Sequence, residues 1–266
     1  MRRTEERNPK AARLSSLSTR ELLELLNEED ATVPAAVGRA LPQIERAVEA
    51  IVAAVQGGGR IRYVGAGTSG RLGVLDASEW PPTFGVGTEL ARGIIAGGER
   101  ALRESIEGAE DDDDAGARDI GAEAKRGDVV VGISASGRAP YVRGALDAAR
   151  GLGARTIAIT CDAASPLASD PEIAIVVDVG PEILAGSSRL KAGTATKLVL
   201  NMLSTAAMVR LGRTRDDLMA DLRAVNAKLK ERAIRIVATE ANVSADEART
   251  RLERSGWDVR SAIAGG

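Results

Sequence analysis

The chain has 266 residues, 44% of them hydrophobic and 28% charged, and a formal net charge of −2. This balance provides neither a basic field for nucleic acid nor a polybasic face for a membrane. No apolar stretch approaches the ~20 residues of a membrane span, and the polar start is not a signal peptide. One cysteine and no histidine exclude a disulfide framework, Ser-His-Asp and Cys-His catalysis, and histidine-based metal sites. We therefore expect a cytoplasmic protein whose acid–base chemistry uses carboxylates or other non-histidine groups.

The first part of the chain is predicted to be helical. Ser18 and Glu21 form a capping-box pattern before a leucine-rich run. Apolar residues from Leu41 to Val55 then recur at helical spacing until the glycines that begin at Gly57. We expect residues 1–56 to form a helical segment that packs on the core.

Short apolar runs then alternate with helical patterns, which is typical of a parallel sheet covered by helices on both faces. The predicted strands are Ile61–Val64, Gly93–Ala96, Val129–Ile133, Ala154–Ile159 and Ile173–Val177. The predicted helices are Arg71–Ser78, Glu99–Glu107, Ala139–Leu152, Ala192–Leu211 and Asp216–Ala233. This order predicts an α/β fold, a three-layer αβα sandwich with a five-stranded parallel sheet over residues 57–233.

The last stretch carries short helical patterns over Ala245–Leu252 and Val259–Ile263, on either side of Gly256 and Trp257. These patterns predict a small helical bundle, similar to a ubiquitin-associated domain. We expect residues 234–266 to form this separate C-terminal domain.

Two loops rich in glycine and hydroxyl groups follow the first and third predicted strands. They are Gly65-Ala66-Gly67-Thr68-Ser69-Gly70-Arg71 and Ser134-Ala135-Ser136-Gly137-Arg138. Glycine lets the backbone approach an anion, and the start of a helix offers free N–H groups. Since ligands of parallel sheets bind beyond the carboxyl ends of the strands, the pair predicts a phosphate site. The first loop also fits the dinucleotide pattern G-x-G-x-x-G, but no acidic residue ends the second strand, where a ribose partner is expected.

A third polar segment opens the long predicted helix. It runs from Ser187 to Lys197 and carries hydroxyls and cations that could contact phosphate or sugar. A capped helix with solvated lysines explains the segment equally well. Lys191 and Lys197 could pair with a substrate, and Glu182 is a weaker candidate.

Longer motifs extend these loops into one family pattern. They are Gly65–Phe84, Ile94–Gly98, Glu107–Asp111, Arg189–Lys197, Asn201–Thr205 and the N-terminal Thr4–Pro9. Together they resemble the N-acetylmuramic acid 6-phosphate etherases, a family of the sugar-isomerase (SIS) fold, and the resemblance covers nearly the whole chain. It implies a lyase that removes the D-lactyl ether to give N-acetylglucosamine 6-phosphate and D-lactate. We expect neither a cofactor nor a metal ion.

The resemblance also implies roles for particular residues. It assigns the substrate's phosphate to Thr68, Ser69, Ser134, Ser136 and Gly137. From their places in the first loop and in the polar segment before the long helix, Gly67, Ser188 and Lys191 are further candidates for binding phosphate or sugar. Glu79 is the implied proton donor to the departing lactate, and Glu110 the implied base at C2. Two carboxyl groups in unlike environments can divide these roles, because burial keeps one of them protonated. We expect Glu79 to lie near the phosphate loop, at the end of a short helix stopped by Pro81 and Pro82.

Other residues favour plainer roles. The run Asp111–Asp114 lacks the alternating geometry of a calcium loop and predicts a solvated turn. Cys161 directly follows the fourth predicted strand and is expected to be a small buried hydrophobe.

Two alternative functions stay open. An aldose–ketose isomerase of the same fold would use a base at C2 but no acid for a leaving group. A non-catalytic sensor of sugar phosphates is the other, because the glucokinase regulatory protein resembles these etherases. Retention of both Glu79 and Glu110 favours the lyase over the sensor. SIS enzymes commonly build their active site across a two-fold interface, so we expect a homodimer with its active site near that interface.

Overall fold

A five-stranded parallel sheet forms the centre of the molecule, and its strand order is β2-β1-β3-β4-β5. The computed structural model describes residues 3–219 and 227–265. The strands are β1 Ile61–Gly65, β2 Ala91–Ile95, β3 Val129–Ile133, β4 Arg155–Thr160 and β5 Ile173–Val176. All five predicted strands are confirmed, with ends that differ by two residues or fewer.

Ten α-helices occur in the described residues. They are α1 Thr19–Asp30, α2 Val33–Arg39, α3 Leu41–Gln56, α4 Gly67–Phe84, α5 Asp113–Glu123, α6 Pro140–Gly151, α7 Lys191–Arg210, α8 Ala227–Glu240, α9 Ala245–Arg254 and α10 Val259–Ile263. The predicted capping box at Ser18 and Glu21 is present at the start of α1. No helix in these ranges is long and apolar enough to cross a membrane.

The sheet separates two apolar cores, because successive residues of a strand point to opposite faces. Val129, Val131 and Ile133 of β3 face the core that α3, α4 and α7 cover. Val130 faces the second core, which α5 and α6 cover. The predicted three-layer αβα sandwich is therefore confirmed.

The carboxyl ends of β1 and β3 lie side by side. The two strands pair in parallel, and Gly65 at the end of β1 is in register with Ile133 at the end of β3. Because β2 and β3 flank β1 on opposite sides, the chain changes direction across the sheet between β1 and β3. Ligands of open parallel sheets bind at such a switch point. The two predicted phosphate loops begin there.

The prediction that Pro81 and Pro82 stop the helix carrying Glu79 is wrong. α4 runs through both prolines and ends where Gly85 adopts a left-handed conformation with φ 66°. Proline inside a helix removes a hydrogen bond and crowds the preceding turn, at a cost of about 3 kcal/mol. Burial of Trp80 and Phe84, whose rings meet edge to face at 6.5 Å, offsets that cost.

The predicted helix Glu99–Glu107 is also wrong, because only Glu99–Leu102 is helical, as one 3₁₀ turn. Arg71 donates to the carbonyl oxygens of Leu102 and Glu104 at 3.3 and 2.8 Å. These carbonyls would otherwise accept hydrogen bonds within a helix, so the Arg71 contacts favour the irregular loop.

The third correction concerns the predicted helix Asp216–Ala233. Arg215 and Leu218 form a β-bridge around a two-residue turn in which Asp216 has a φ of 50°. Residues 220–226 lie outside the described part of the chain, and α8 begins at Ala227. The helices α8, α9 and α10 share an apolar cluster distinct from the two sheet cores. The predicted domain boundary after residue 233 falls inside α8, and the division into domains stays a prediction.

Candidate active site

The first loop joins β1 to α4 by a close approach of backbone to backbone. A side chain on Gly65 would begin 2.7 Å from the amide nitrogen of Gly70, so both positions need glycine. Gly67 is in the left-handed region with a φ of 54°, which glycine adopts without strain. Thr68 and Ser69 follow in the first turn of α4, whose N-cap Ala66 makes no side-chain hydrogen bond to the helix. The amides of this turn are therefore available to an anion.

The second loop joins β3 to α6 and brings two hydroxyls together. The Oγ atoms of Ser134 and Ser136 lie 3.5 Å apart. Gly137 has a φ of 64°, and a side chain there would begin 2.0 Å from Ser165 Oγ. The N-cap Ala139 makes no side-chain hydrogen bond either. Pro140 has no N–H group and the amide of Val142 donates to the Ala139 carbonyl at 3.1 Å, so the first turn of α6 offers the amide of Tyr141. Both predicted phosphate loops thus have the geometry that anion binding requires.

The start of α7 borders the first loop. A side chain on Gly193 would begin 3.7 Å from the methyl carbon of Thr68. The carboxylate of Glu182 accepts hydrogen bonds from the amides of Lys191 and Ala192 at 3.0 and 2.9 Å, so it caps α7. Burial raises the pKa of Glu182, although these two amides oppose the rise.

A buried ion pair fixes the side chain of Lys191. Its Nζ lies 2.6 Å from Glu29 Oε2, and both side chains are below 10% exposed. The assignment of Lys191 to the substrate stays a prediction, since its Nζ and its amide both donate to protein carboxylates. The same holds for Ser188, which is half-buried in the loop before α7.

Glu29 joins this pair to the N-terminal segment and was not singled out from the sequence. It also accepts hydrogen bonds from Asn8 Nδ2 at 2.7 Å and pairs with Lys10 Nζ at 3.0 Å. Although burial opposes ionisation, bonds from Lys191, Lys10 and Asn8 lower the pKa of Glu29 to about 2. The one available signal was Asn8, which belongs to the N-terminal family motif.

Glu79 and Glu110 are both exposed, on different layers of the molecule, so the expected difference in burial between them is absent within one chain. Glu79 lies on α4, whose rise of 1.5 Å per residue puts it about 18 Å along the helix axis from Gly67. The expectation that Glu79 lies near the phosphate loop is therefore wrong within one chain. Glu110 lies in the 3₁₀ turn Ala109–Asp111, which contacts α6 on the other face of the sheet. One chain does not bring the two carboxylates together.

A buried carboxylate three residues before Glu79 was also missed. Asp76 is 3% exposed and accepts hydrogen bonds from Trp80 Nε1 at 3.1 Å and Ser204 Oγ at 3.2 Å. Lys197 Nζ lies 3.9 Å from the same carboxylate. Burial raises the pKa of Asp76, while these donors and Lys197 counteract the rise.

The remaining candidates have structural explanations. Cys161 is 2% exposed, and burial raises the pKa of its thiol to about 12, so it stays protonated. Asp111–Asp114 are exposed, and Asp112 caps α5 by accepting from the amide of Ala115 at 2.8 Å. Within residues 3–219 and 227–265, no group of three metal-ligating side chains occurs.

Comparison with known proteins places the chain in a family. Residues 43–150 match the glucokinase regulatory protein N-terminal SIS domain, and residues 112–206 match the SIS domain. An N-acetylmuramic acid 6-phosphate etherase of Pectobacterium atrosepticum is 52% identical over 98% of this chain and 86% of its own. One of Actinobacillus pleuropneumoniae serotype 5b is 57% identical over 90% and 80%, respectively.

The solved structures agree on the fold. A phosphoheptose isomerase from Francisella tularensis has a TM-score of 0.56 at 17% identity, covering 73% of this chain and 100% of its own. At that identity the likeness concerns the fold alone, and the predicted SIS fold is confirmed. The alignments with the two etherase relatives cover at least 90% of this chain, and more than half of the aligned residues are identical. The chain therefore belongs to the N-acetylmuramic acid 6-phosphate etherase family and is an enzyme of that family.

Proposed function

We propose that this chain cleaves the D-lactyl ether of N-acetylmuramic acid 6-phosphate, giving N-acetylglucosamine 6-phosphate and D-lactate in amino-sugar recycling. Relatives that carry this activity in their names, at 52% and 57% identity, support the assignment. The observation that carries it is this identity over nearly the whole chain, while the pair of glycine-dependent loops at the β1–β3 switch point supports binding of the substrate's phosphate. We further infer a cytoplasmic location, because a charged sugar phosphate does not cross a bilayer unaided.

The phosphate is proposed to bind between the starts of α4 and α6. Two helix N-termini converge there, each with a positive dipole end and with backbone N–H groups that no side chain caps. Thr68, Ser69, Ser134 and Ser136 add hydroxyl donors, and Gly67 and Gly137 allow close approach of the backbone. Because the net charge is −2, the protein has no overall positive field that would attract nucleic acid or another phosphate compound. Binding of the substrate's phosphate must therefore come from these local groups.

The proposed chemistry is an elimination followed by addition of water. In the ring-opened aldehyde the carbonyl acidifies the C2 proton, and Glu110 removes it. The C2–H electron pair forms the C2=C3 double bond while the C3–O bond breaks and Glu79 protonates the departing ether oxygen. Water then adds its oxygen at C3, C2 regains a proton, and the product sugar phosphate is complete.

The position of Glu79 supports a site shared between two copies of the chain. Six bonds separate the substrate's phosphorus from its C3 ether oxygen, so they span at most about 9 Å. The backbone of Glu79 lies about 18 Å from that of Gly67 along α4. Because α4 connects the parallel strands β1 and β2, it runs back towards their amino ends and carries Glu79 away from the loops. We infer a homodimer in which Glu79 of one copy acts on the substrate held by the loops of the other.

An apolar groove supports association of two copies. It lies between α3 and α7 and has a volume of about 1440 Å³. Leu41, Met202 and Val209 on its walls are 50%, 36% and 48% exposed. Glu49 on α3 and Arg210 on α7 also line the groove, so a two-fold pairing can place opposite charges together.

Release of D-lactate from N-acetylmuramic acid 6-phosphate tests the proposal. We expect the intact chain to release lactate, and Glu79→Gln and Glu110→Gln to lower kcat at least a hundredfold. Glu99→Gln, which changes another exposed carboxylate, is the matched control and should keep full activity. Substrate binding without lactate release would instead support a sensor, and a ketose product would support an isomerase.

A mixture of the two inactive variants tests the shared site. A dimer of one Glu79→Gln copy and one Glu110→Gln copy contains one intact site if Glu79 acts across the interface. Statistical mixing then restores about a quarter of the sites. Recovery of no activity from verified mixed dimers would place both carboxylates in the same chain's site.

A further inference from the structure

Glu79 lies in the part of α4 where the backbone hydrogen-bond ladder is interrupted. Pro81 and Pro82 are inside the helix and have no N–H group. The carbonyls four residues earlier, those of Ala77 and Ser78, therefore lose their helical donors. Helices bend at such points. Something other than the backbone ladder must fix the direction in which Glu79 points.

The side chains on either side of Glu79 provide that restraint. Trp80 Nε1 donates to Asp76 Oδ2 at 3.1 Å, which closes one helical turn around Glu79. Ser204 Oγ of α7 lies 3.2 Å from Asp76 Oδ1 and shares its one hydrogen between that oxygen and the Leu200 carbonyl at 2.9 Å. Lys197 Nζ, also on α7, lies 3.9 Å from Asp76 Oδ1. The turn is thus tied to its neighbouring helix through one carboxylate.

Burial makes this restraint stiff. Asp76 and Trp80 are 3% and 1% exposed, so their bonds do not exchange with bulk water. Trp80 also packs edge to face on Phe84 at 6.5 Å, which holds the indole in one orientation. Tyr63 is buried in the same core beside Asp76, and burial first, then the Asp76 carboxylate, raise the pKa of its phenol.

We propose that Asp76 is a positioning residue for the etherase reaction, which fixes the turn carrying Glu79 through Trp80 and Ser204. The inference rests on the proposed role of Glu79 as the acid that protonates the leaving ether oxygen. Asp76 is buried, so it neither touches the substrate nor exchanges a proton in the reaction. Its function is to hold the donor in line with the C3–O bond as that bond breaks.

Trp80→Phe tests the inference with the smallest change, since it removes the indole N–H and keeps an aromatic ring on Phe84. We expect kcat for lactate release to fall tenfold to a hundredfold, with KM within twofold. Exchange of the C2 proton with solvent deuterium should change less than threefold, because Glu110 performs that step. Ser204→Ala should act in the same direction with a smaller loss. Thr156→Val, which removes the hydrogen bond that a buried hydroxyl at the amino end of β4 accepts from the amide of Glu172, is the matched control and should keep kcat.

The readouts separate positioning from general damage. Equal losses of lactate release and C2 exchange in Trp80→Phe would mean a structural role only and would overturn the inference. So would unchanged lactate release in both Trp80→Phe and Ser204→Ala. In a Glu79→Gln background, Trp80→Phe should add no further loss. If Glu79→Gln alone keeps full lactate release, the proposed role of Glu79 fails, and the positioning role fails with it.

Discussion

Replacing Glu29 by glutamine should destabilise the fold strongly at neutral pH. The carboxylate is below 10% exposed and bonds to Lys191 at 2.6 Å and to Asn8 at 2.7 Å. Its pKa is about 2 in the fold against its usual 4.5. That difference corresponds to about 3 kcal/mol of folding free energy at pH 7, since one pKa unit is worth 1.36 kcal/mol. Glu29→Gln also leaves the buried ammonium of Lys191 without its charged partner.

The direction of the pH dependence follows from the lowered pKa. A carboxylate that ionises more readily in the fold stabilises it fully above about pH 4.5, and this stabilisation is lost as the pH falls towards 2. The gap between the intact chain and Glu29→Gln should therefore be about 3 kcal/mol at pH 7, or roughly 6–12 °C in Tm. It should shrink steadily as the pH falls below 4.5.

Urea unfolding followed by circular dichroism, in steps from pH 7 to pH 3, measures this gap. Glu28→Gln changes the exposed neighbouring carboxylate and should stay within about 0.5 kcal/mol of the intact chain. A loss below 1 kcal/mol for Glu29→Gln at pH 7 would refute the reasoning. A gap that stays constant down to pH 3 would refute it as well.

Two further predictions concern the loops and the groove. Gly137→Ala should raise KM for the phosphate substrate at least tenfold and lower Tm, because its side chain would begin 2.0 Å from Ser165 Oγ at a φ of 64°. Steady-state kinetics measures the KM and a melting curve the Tm. An unchanged KM would contradict the loop assignment. Met202→Glu should convert a dimer to a monomer in sedimentation, whereas Leu152→Glu, at an exposed site outside the groove, should not; a dimer that survives Met202→Glu would remove the groove from the proposed interface.

The sheet was predictable from the sequence because its signals are local. Each strand is a short apolar run bounded by turn residues, and Gly57 and Gly65 mark where the neighbouring elements change. The loop after β3 was equally readable, since Ser136 and Gly137 are hydroxyl and glycine residues at a strand end. Parallel pairing then brings the two loops together without further information.

The details that failed depend on distant contacts. Nothing near Pro81 reveals that α4 continues, because the burial of Trp80 and Phe84 in the core offsets the broken hydrogen bonds. The pair of Glu29 and Lys191 joins residues 162 positions apart and leaves no local pattern. Such contacts form only when the chain packs, so they require the structure.

The length of α4 also changes how the family resemblance is used. Motif matching names Glu79 as a candidate but gives no distance from the phosphate loop. The continuous helix supplies that distance and favours a second copy as the donor of Glu79. The same helix makes Asp76 important, because Glu79 follows it within one turn.

Isotope labelling of the reaction tests the central claim most directly. The intact chain is incubated with N-acetylmuramic acid 6-phosphate in H₂¹⁸O and, separately, in D₂O. Mass spectrometry then measures the isotope content of both products. The elimination and addition predict ¹⁸O in the C3 hydroxyl and deuterium at C2 of the N-acetylglucosamine 6-phosphate, with unlabelled oxygen in the released lactate. Lactate that carries ¹⁸O, or a product sugar without deuterium at C2, would contradict cleavage by C2 deprotonation and loss of the C3 ether.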